Sequence, residues 1–412
     1  MARIESRPER VDVLIAGGGH VGLSLALALR MAESDLSVMV VDATPPEAVG
    51  RDARASAIAA AGRRMLGALG VWPAIAANAQ PITEMIVTDS RTGDAVRPVF
   101  LTFDGGAADG EPFAHMVMNG DMVGALRDRA VAEGTAIVAP DSVDDFTVGP
   151  ADVACRLGSG RTLRARLLVA ADGGRSRLRS LAGIGTVSWP YRQSGIVVTV
   201  EHERPHHGRA VEHFLPGGPF AILPLKGNRS SLVWSEREDI ARRIVAGDPD
   251  VFRFELERRF GNQLGAVTPL GRPRAFPLGL TLARAFVAER LALAGDAAHG
   301  IHPIAGQGLN LGFRDVAALA ECIVEAHRLG LDIGALPVLE RYQGWRRFDS
   351  FEMGVTTDVL NRLFSNDNPV LRVMRDVGLG LVDRLPALKR RFIGEAAGEG
   401  GELPRLLRGE AI

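Results

Sequence analysis

Polar and glycine residues are concentrated in one stretch of the C-terminal third of the chain, GDAAHGIHPIAGQGLNLGFRD, at residues 295–315. Asp296, His299 and His302 are residue types that bind metal ions, but the two histidines lie three residues apart in a Gly- and Pro-rich loop, and no third ligand follows at helical spacing. We therefore expect no metal site. A Ser-His-Asp hydrolase is also disfavoured, because the chain has no G-x-S-x-G motif.

The same stretch favours a loop that ends at the N-terminus of a helix. Gly306, Gly308 and Gly312 free its backbone, and Leu309 and Asn310 begin the helical pattern. Backbone N–H groups at a helix N-terminus suit the edge of a planar ligand that acquires negative charge. A reduced flavin ring has such an edge, so these residues predict a flavin-binding loop.

A glycine motif lies near the N-terminus: Gly17-x-Gly19-x-x-Gly22, with Asp42 twenty residues beyond its last glycine. It follows an apolar strand pattern and opens a helical one, which is the context of a dinucleotide-binding βαβ unit. The first glycine allows the tight turn, the second admits the pyrophosphate and the third permits close packing of the helix. Asp42 would accept hydrogen bonds from an adenosine ribose. The pattern fits NAD and FAD equally, so an NAD-dependent dehydrogenase stays open on this motif alone.

A second strand-to-turn segment is LLVAADGGRSRLR at 167–179, in which Asp172 follows the predicted strand and three arginines come after it. By itself this pattern is typical of a turn with a solvated basic face. If the strand ends beside the glycine motif, Asp172 is instead expected to support the same bound dinucleotide.

Composition places the chain among ordinary globular proteins. Charged residues make up 24%, hydrophobic residues 46%, and the formal net charge of the 412 residues is −1, which gives no indication of nucleic-acid binding. Cys155 and Cys322 form no C-x-x-C motif, which favours packed thiols in a reducing cytoplasm. The apolar run Val13–Leu29 resembles a secretory signal only in part, because glycines interrupt it and it falls short of the roughly 20 residues of a spanning helix.

The order of the elements predicts a mixed α/β (α+β) fold. A βαβ unit opens the chain, residues 54–70 have a helical pattern, and antiparallel strand patterns fill 194–234. We expect a Rossmann-like nucleotide-binding domain with an inserted antiparallel-sheet domain and a C-terminal helical segment. The predicted bounds are 1–75, 113–182 and 277–340 for the nucleotide-binding domain, 76–112 and 183–276 for the substrate-sheet domain, and 341–412 for the helical region.

Several motifs together carry a family resemblance. HPIAGQGLNLGFRD at 302–315 resembles, position for position, a signature of the ubiquinone-biosynthesis hydroxylases, which are FAD-dependent aromatic monooxygenases with the para-hydroxybenzoate hydroxylase fold. IAGGGHVGLSLALAL is similar to the family's FAD loop, AADGGRSRLR to its second cofactor motif, and DARASAI to a DGRSIAL segment, with Ala53 in place of the usual Gly. RAVEHFLPGGPFAILPL and FSNDNPVLRVMRDVGLGLVD resemble its substrate-sheet strands and C-terminal helices. The resemblance therefore covers nearly the whole chain.

Carried over residue by residue, the resemblance implies how FAD is held. Arg54 lies by the pyrophosphate, Asp296 binds the ribitol, and the amides of Leu309 and Asn310 face the pyrimidine edge. The full implied set of cofactor-binding residues is Gly17, Gly19, Gly22, Asp42, Arg54, Asn119, Asp172, Gly295, Asp296, Gly308, Leu309 and Asn310. The implied catalytic positions, beside the reactive part of the flavin, are Pro303, Gly306 and Gln307.

The substrate pocket is expected on the strands of the inserted sheet, where an apolar wall would exclude water. Several of the side chains concerned are equally typical of plain sheet core. Glu212 and His213 are candidates for the general base of a phenol only by their position in a substrate-sheet strand. The predicted pocket residues are Glu212, Phe214, Phe220, Leu223 and Pro224, together with Ile222.

The resemblance implies hydroxylation of the aromatic ring of a polyprenylated phenol in ubiquinone biosynthesis, with O2 and FAD, through a flavin C4a-hydroperoxide. Electrons would come from NAD(P)H or from a partner reductase, since the chain has no second complete G-x-G-x-x-G motif. Two alternatives stay open: an FAD-bound prenyl reductase of the same fold, and a non-catalytic flavoprotein scaffold in a quinone-synthesis assembly.

The implied substrate has a tail that partitions into lipid, which suggests contact with a membrane or with a quinone-synthesis assembly. Lys389, Arg390 and Arg391 follow apolar residues at helical spacing, and such a segment suits an anionic membrane surface. The alternative is that these helices pack on the FAD lobe while the charges are solvated. We expect a cytoplasmic protein, with peripheral contact to the inner face of the cell membrane as a hypothesis.

Overall fold

The computed structural model describes residues 9–90, 92, 94, 97–104, 110–301, 306–365, 394 and 397–412. Their strands form three sheets. The strands of the first sheet are β1 (Glu9–Ala16), β2 (Val38–Val41), β8 (Ala136–Val138), β9 (Val143–Val148), β10 (Val153–Leu157), β11 (Thr162–Ala170), β17 (Val287–Ala288) and β18 (Leu291–Leu293). Their order is β17-β18-β11-β1-β2-β8, with β10 paired to β11 and β9 paired to β10.

The first sheet is parallel at its centre. The VDVLIA run of β1 is apolar on both faces, and the last four residues of the strand are buried, as expected for a strand of a covered parallel sheet. β1 pairs in parallel with β2 and with β11, and β11 pairs in parallel with β18. The carboxyl ends of these strands therefore meet at one edge of the sheet, which is where such sheets bind ligands.

The second sheet is mostly antiparallel and forms the other lobe. Its strands are β5 (Glu84–Asp89), β6 (Val99–Asp104), β12 (Thr186–His202), β13 (Arg209–Leu215), β14 (Gly218–Leu225), β15 (Arg229–Arg237), β16 (Val267–Ala283) and β19 (His299–Gly300). Their order is β19-β16-β12-β15-β14-β13-β5-β6. Because β19 lies in the segment that follows β18, the strand joins the flavin-loop region to the second sheet.

A small antiparallel sheet connects the two lobes, in the order β3-β7-β4. Its strands are β3 (Ala55–Ala59), β4 (Gln80–Ile82) and β7 (Ala114–Met118). The helices are α1 (His20–Ala32), α2 (Ala60–Ala68), α3 (Trp72–Ile75), α4 (Asn119–Ala132), α5 (Arg177–Leu181), α6 (Glu238–Ala246), α7 (Pro249–Phe260), α8 (Gln307–Arg328) and α9 (Leu336–Phe364). Short 3-10 helices cover Pro46–Ala48, Gly295–Ala297 and Arg405–Arg408.

Each lobe has its own apolar core. In the nucleotide-binding lobe, α1 and α8 pack together against the first sheet, and their apolar residues share one buried cluster with those of β1, β2 and β11. In the other lobe, one face of the second sheet packs on α6 and α7 around Phe220, Trp234 and Phe252. In the described residues no helix combines the length and apolar content that crossing a membrane requires.

Residues 54–70 differ from the helix predicted for them, because β3 precedes α2. Ala59 pairs with Ala114 of β7, and the backbone N–H of Ala59 donates to Asn310 Oδ1 at 2.9 Å. The high helix propensity of an alanine-rich segment is a weak preference that such tertiary pairing overrides.

Two predicted domain bounds fall inside elements of the structure. β16 is one continuous strand of the second sheet, so the bound between residues 276 and 277 falls inside it. The predicted helical region 341–412 begins inside α9, and its described end, 397–412, holds only a short 3-10 helix. Lys389, Arg390 and Arg391 lie outside the described residues.

Candidate cofactor and substrate site

The glycine motif forms the turn between β1 and α1, and the backbone geometry requires two of its glycines. Gly17 has φ +113°, and a Cβ atom there would lie 2.2 Å from the carbonyl oxygen of Ala171. A Cβ atom at Gly22 would lie 1.9 Å from the carbonyl oxygen of Gly17. By contrast, a Cβ atom at Gly19 would meet no atom within 4 Å, and Gly19 lines a cavity. The turn is therefore closed by β11 on one side and open to a ligand on the other.

Asp42 follows β2 and lies against this turn. A Cβ atom at Gly18 would come within 2.4 Å of Asp42 Oδ2, and Asp42 Oδ1 accepts a hydrogen bond from the backbone N–H of Thr44 at 3.0 Å. The carboxylate thus lies at the tip of the second parallel strand, where the βαβ pattern predicts it.

Arg54 and Asn119 meet in a polar cluster at the cavity wall. Arg54 Nη2 lies 2.7 Å from Asp52 Oδ2, and Asn119 Nδ2 donates to the same oxygen at 3.2 Å. Ser56 Oγ donates to Asn119 Oδ1 at 2.7 Å. Burial would raise the pKa of the Asp52 carboxyl, but the hydrogen bonds from Arg54 and Asn119 lower this pKa to about 2. Asp52 was not among the predicted site residues, although it opens the DARASAI segment two residues before Arg54.

Asp172 stabilises the turn after β11 and is not among the cavity-lining residues. Its Oδ2 accepts hydrogen bonds from the backbone N–H groups of Arg177, at 3.0 Å, and Leu178, at 3.3 Å. Its neighbours Ala171 and Gly173 do line the cavity. Further along, Arg179 Nη1 donates to the carbonyl of Ala297 at 2.8 Å, which ties this turn to the flavin-loop segment.

Asp296 and His299, both in the segment after β18, have different surroundings. Asp296 lines the cavity, and burial raises the pKa of its carboxyl despite the nearby charges of His299 and Arg54. His299 instead points into the lobe, where its Nε2 lies 2.6 Å from Asp315 Oδ2. Asp315 also accepts from Arg346 Nε and from the backbone N–H of Gly295, each at 2.9 Å. Burial would raise the pKa of Asp315, but His299 and Arg346 keep it below its ordinary value.

The N-terminus of α8 forms a third side of the cavity. Gly306, with φ +65°, precedes the helix, and Gln307, Gly308, Leu309 and Asn310 line the cavity with it. The side chain of Asn310 fixes the helix end to β3, because its Nδ2 donates to the carbonyl of Ala57 at 2.9 Å. The first N–H groups of a helix have no partners within the helix, so they can bind an electron-rich ligand edge. Pro303 and His302 lie outside the described residues.

The cavity has a volume of about 490 Å³ and lies between the two lobes. Its wall on the second sheet is mostly apolar. The residues that form this wall, with their neighbours on the small sheet and before β7, are Ile82, Met85, Phe113, Ala210, Glu212, Ala221, Leu223 and Val233.

Only two of the predicted pocket residues line this wall, Glu212 and Leu223. Side chains of a strand alternate between its two faces, and Phe220 and Ile222 of β14 point to the opposite face, where they pack toward α6 and α7. Pro224 is not among the lining residues either. Phe214 packs with Val87 and Leu101 in a separate small cluster. The structure therefore does not bring these four predicted positions to this wall.

The residues at the cavity fit FAD. An open glycine turn at the N-terminus of α1 suits a pyrophosphate, and Asp42, which lies against this turn, could accept hydrogen bonds from a ribose. Asp296 lines the cavity with an exposed side chain that could accept hydrogen bonds from the ribitol hydroxyl groups, and desolvation by the surrounding protein raises the pKa of its carboxyl. The N-terminus of α8 and the wall of the second sheet line the same cavity, so the free N–H groups of this helix end could bind the edge of the flavin ring there.

Comparison with known proteins gives the same cofactor. Residues 10–330 match the family of FAD-binding domains. The chain is 48% identical to ubiquinone hydroxylase UbiL of Rhodospirillum rubrum over 97% of this chain and 92% of that protein. It is 36% identical to 3-demethoxyubiquinol 3-hydroxylase of Escherichia coli over 94% of this chain and 98% of that protein.

Solved structures show the fold. The p-nitrophenol 4-monooxygenase of Pseudomonas putida superposes with a TM-score of 0.79 at 19% identity, covering 96% of this chain and 100% of that one. PqsL of Pseudomonas aeruginosa, described as a probable FAD-dependent monooxygenase, superposes with a TM-score of 0.76 at 24% identity, covering 90% of this chain and 99% of that one. Together with the glycine turn and the α8 loop, these matches place the chain in the ubiquinone-biosynthesis hydroxylase family of FAD-dependent aromatic monooxygenases.

Proposed function

We propose that this protein hydroxylates the aromatic ring of a polyprenylated phenol in ubiquinone biosynthesis, with FAD as cofactor and O2 as the source of the oxygen atom. The observation that carries the proposal is a cavity that is lined both by the flavin-loop segment of one lobe and by an apolar wall of the other. The names of the ubiquinone hydroxylases among its relatives support the same reaction.

The residues of the chain have separable roles in this proposal. Bound FAD supplies the redox chemistry that activates O2 and transfers one oxygen atom to the ring. The glycine turn and the α1 N-terminus bind the phosphates, while Asp296 orients the ribitol. The N–H groups at the start of α8 stabilise negative charge at the edge of the flavin ring. The apolar wall around Leu223 excludes water, which would otherwise compete with the ring for the activated oxygen.

The electron donor is NAD(P)H or a partner reductase. NAD(P)H is the donor we propose, because it needs no second protein. Anaerobic mixing of the FAD-loaded protein with NADH or NADPH tests this point, since direct reduction bleaches the flavin absorption. Absence of bleaching with both nucleotides would assign the electrons to a reductase.

The experiment that tests the function is oxygen consumption by the purified, FAD-loaded protein with a set of polyprenylated phenols. We expect consumption that depends on the phenol, and a product with one additional oxygen atom by mass spectrometry. A prenyl reductase would instead yield a product with two additional hydrogen atoms, and a scaffold would yield neither product. Either of those results would refute the proposed reaction.

Delivery of the substrate is a further part of the proposal. A polyprenyl tail partitions into lipid, so we propose that a cytoplasmic protein meets its substrate at the membrane surface or within a quinone-synthesis assembly. Liposome sedimentation of the wild type and of a Lys389/Arg390/Arg391→Ala variant tests direct binding. We expect salt-sensitive sedimentation of the wild type alone. Identical sedimentation of both proteins would indicate that a partner protein delivers the substrate.

A further inference from the structure

Glu212 is an isolated carboxyl in the apolar wall of the cavity. It lies in the middle of β13, between Val87 of β5 and Ala221 of β14, and its residue is only 4% exposed. It has no hydrogen-bond or ion-pair partner among the residues that the structure describes. A buried carboxyl without a partner is costly, because burial removes water and nothing replaces it. Such a group is expected where a ligand supplies the missing partner.

The other titratable side chains near the second sheet do not face the cavity. His213 points to the opposite face of β13, where its Nδ1 lies 2.5 Å from Thr88 Oγ1 and its ring stacks on Phe220. The hydroxyl group of Tyr342 donates to the carbonyl of Leu293 at 2.8 Å, inside the nucleotide-binding lobe. Tyr191 of β12 is not a lining residue. Among the described residues on the substrate side of the cavity, Glu212 is therefore the side chain that can gain or lose a proton.

The charged residues of the cavity lie on its other side. Arg54 is the cation among the described lining residues, and its guanidinium already pairs with Asp52 at 2.7 Å. Asp296, in the flavin-loop segment, is a further acid. Burial raises the pKa of Glu212 to about 8, and no charge of a neighbouring residue contributes to that shift. The wall therefore offers a ligand one carboxyl that changes charge near neutral pH, and no cation of its own.

We infer that Glu212 binds the ring hydroxyl group of the substrate and accepts its proton when the ring is attacked. This inference rests on the proposed function, in which the substrate is a phenol. The O–H bond of the phenol breaks, an O–H bond forms on a carboxylate oxygen of Glu212, and the electron pair left on the phenolic oxygen raises the electron density of the ring. A phenol has a pKa of about 10, close enough to that of Glu212 for efficient transfer.

The same arrangement selects among phenols. A ring that carries its own carboxylate would place a second anion beside Glu212. Arg54 is the cation among the described lining residues that could offset this charge, but it is already paired with Asp52. Glu212 therefore favours neutral phenols and disfavours phenols with a carboxylate on the ring.

The test is the pH profile of hydroxylation by FAD-loaded wild type and Glu212→Gln. Glutamine keeps the size and the hydrogen-bonding capacity of the side chain but cannot take a proton. We expect kcat/KM of the wild type to rise with pH and to level off above about pH 8, whereas the variant shows no such rise. At the plateau the variant should be slower by about 10²-fold or more. Equal kcat/KM of the two proteins at every pH would overturn the inference.

Glu236→Gln is the matched control, because Glu236 is a buried glutamate of the same sheet whose carboxylate pairs with Arg259 at 3.0 Å. This control should keep the rise with pH, even where it lowers stability. If it loses the rise as well, the effect belongs to the sheet and not to Glu212, and the inference fails.

A second measurement needs only the wild type. Binding of a substrate phenol and of its methyl ether is followed by the change in flavin absorption between about pH 6 and about pH 9, a range that includes the pKa of Glu212. We expect the affinity for the phenol to rise as Glu212 loses its proton, whereas the affinity for the ether, which can only accept a hydrogen bond from the protonated carboxyl, falls. The same dependence for both would overturn the inference even if Glu212→Gln fails to bind FAD. If the wild type hydroxylates no phenol, it is the proposed function that fails.

Discussion

Two buried carboxyls, Asp315 beneath the flavin-loop segment and Glu212 in the wall of the second sheet, have opposite surroundings. Asp315 is 0% exposed and has three partners, His299, Arg346 and the backbone N–H of Gly295. Glu212 is 4% exposed and has none among the described residues. The partners lower the pKa of Asp315, and burial alone raises that of Glu212 to about 8.

The difference separates a group that maintains the fold from one that is available to a ligand. The charge of Asp315 is balanced within the protein, and it connects α8, α9 and the segment after β18. Glu212 faces a cavity, so a substrate can provide the hydrogen bond that the protein does not. Asp296 is also available to a ligand, because it lines the cavity and the pKa of its carboxyl is raised.

The largest expected effect is on stability, for Asp315→Ala. Removing this carboxylate leaves the buried Arg346 with only the partly exposed Asp349 as a charge partner and takes away the partner of His299. Breaking a buried pair costs about 3–5 kcal/mol. The free energy of unfolding in urea at neutral pH measures this loss. Asp349→Ala is the control in the same cluster, because the Asp349 side chain is 26% exposed and water can replace it. Equal losses for the two variants would show that Asp315 has no special structural role.

A smaller effect, with a definite pH dependence, is expected for Glu212→Gln. The folded pKa of Glu212, about 8, lies above its ordinary value of 4.5, so the folded protein binds this proton more tightly than the unfolded chain does. The wild type should therefore lose stability relative to the variant as pH rises from about 5 to about 9, by roughly 2–4 kcal/mol in total. Unfolding in urea at several pH values measures the difference, and a constant difference would contradict the raised pKa.

The next effect concerns FAD affinity, for Asp296→Ala. A lost charge-assisted hydrogen bond is worth about 1.5–3 kcal/mol, which is a loss of one to two orders of magnitude in affinity. Titration of the apoprotein with FAD, followed by flavin fluorescence, gives the dissociation constant. The His299→Ala variant should largely retain FAD, because in the wild type His299 Nε2 contacts Asp315 and not the cavity. The same affinity for wild type and Asp296→Ala would remove Asp296 from the cofactor site.

The smallest effect is expected for Glu238→Gln, which breaks the exposed pair between Glu238 and Arg242 on α6. Pairs of this kind contribute about 0.3–0.5 kcal/mol in a helix. Urea unfolding should place this variant close to the wild type, in contrast to Asp315→Ala. A loss comparable to that of Asp315→Ala would mean that burial does not decide the cost of breaking an ion pair in this protein.

Sequence patterns predicted the FAD side of the site better than the substrate side. The glycine motif, Asp42 and the start of α8 depend on local backbone requirements, so their spacing along the chain carries the information. The wall of the second sheet depends on which face each strand turns to the cavity, and a shift of one residue exchanges the faces. For that reason Leu223 lines the wall, whereas its neighbours Ile222 and Pro224 do not.

Contacts between distant segments were also beyond the sequence patterns. β3 forms in an alanine-rich segment because β7 and Asn310 lie beside it, and neither is near it in sequence. The partners of Asp315 come from α9 and from the segment after β18. The sequence signature contained Asp315, but nothing local showed that its carboxylate is internal.

The most direct test of the account uses dioxygen labelled with a heavy oxygen isotope. The FAD-loaded protein, NAD(P)H or a reductase, and a neutral polyprenylated phenol are incubated under the labelled gas, and the product is analysed by mass spectrometry. We expect one labelled oxygen atom on the aromatic ring of the product, in an amount that matches the donor oxidised. If the flavin is reduced and oxygen is consumed but the ring acquires no label, the protein is not an aromatic hydroxylase of this phenol.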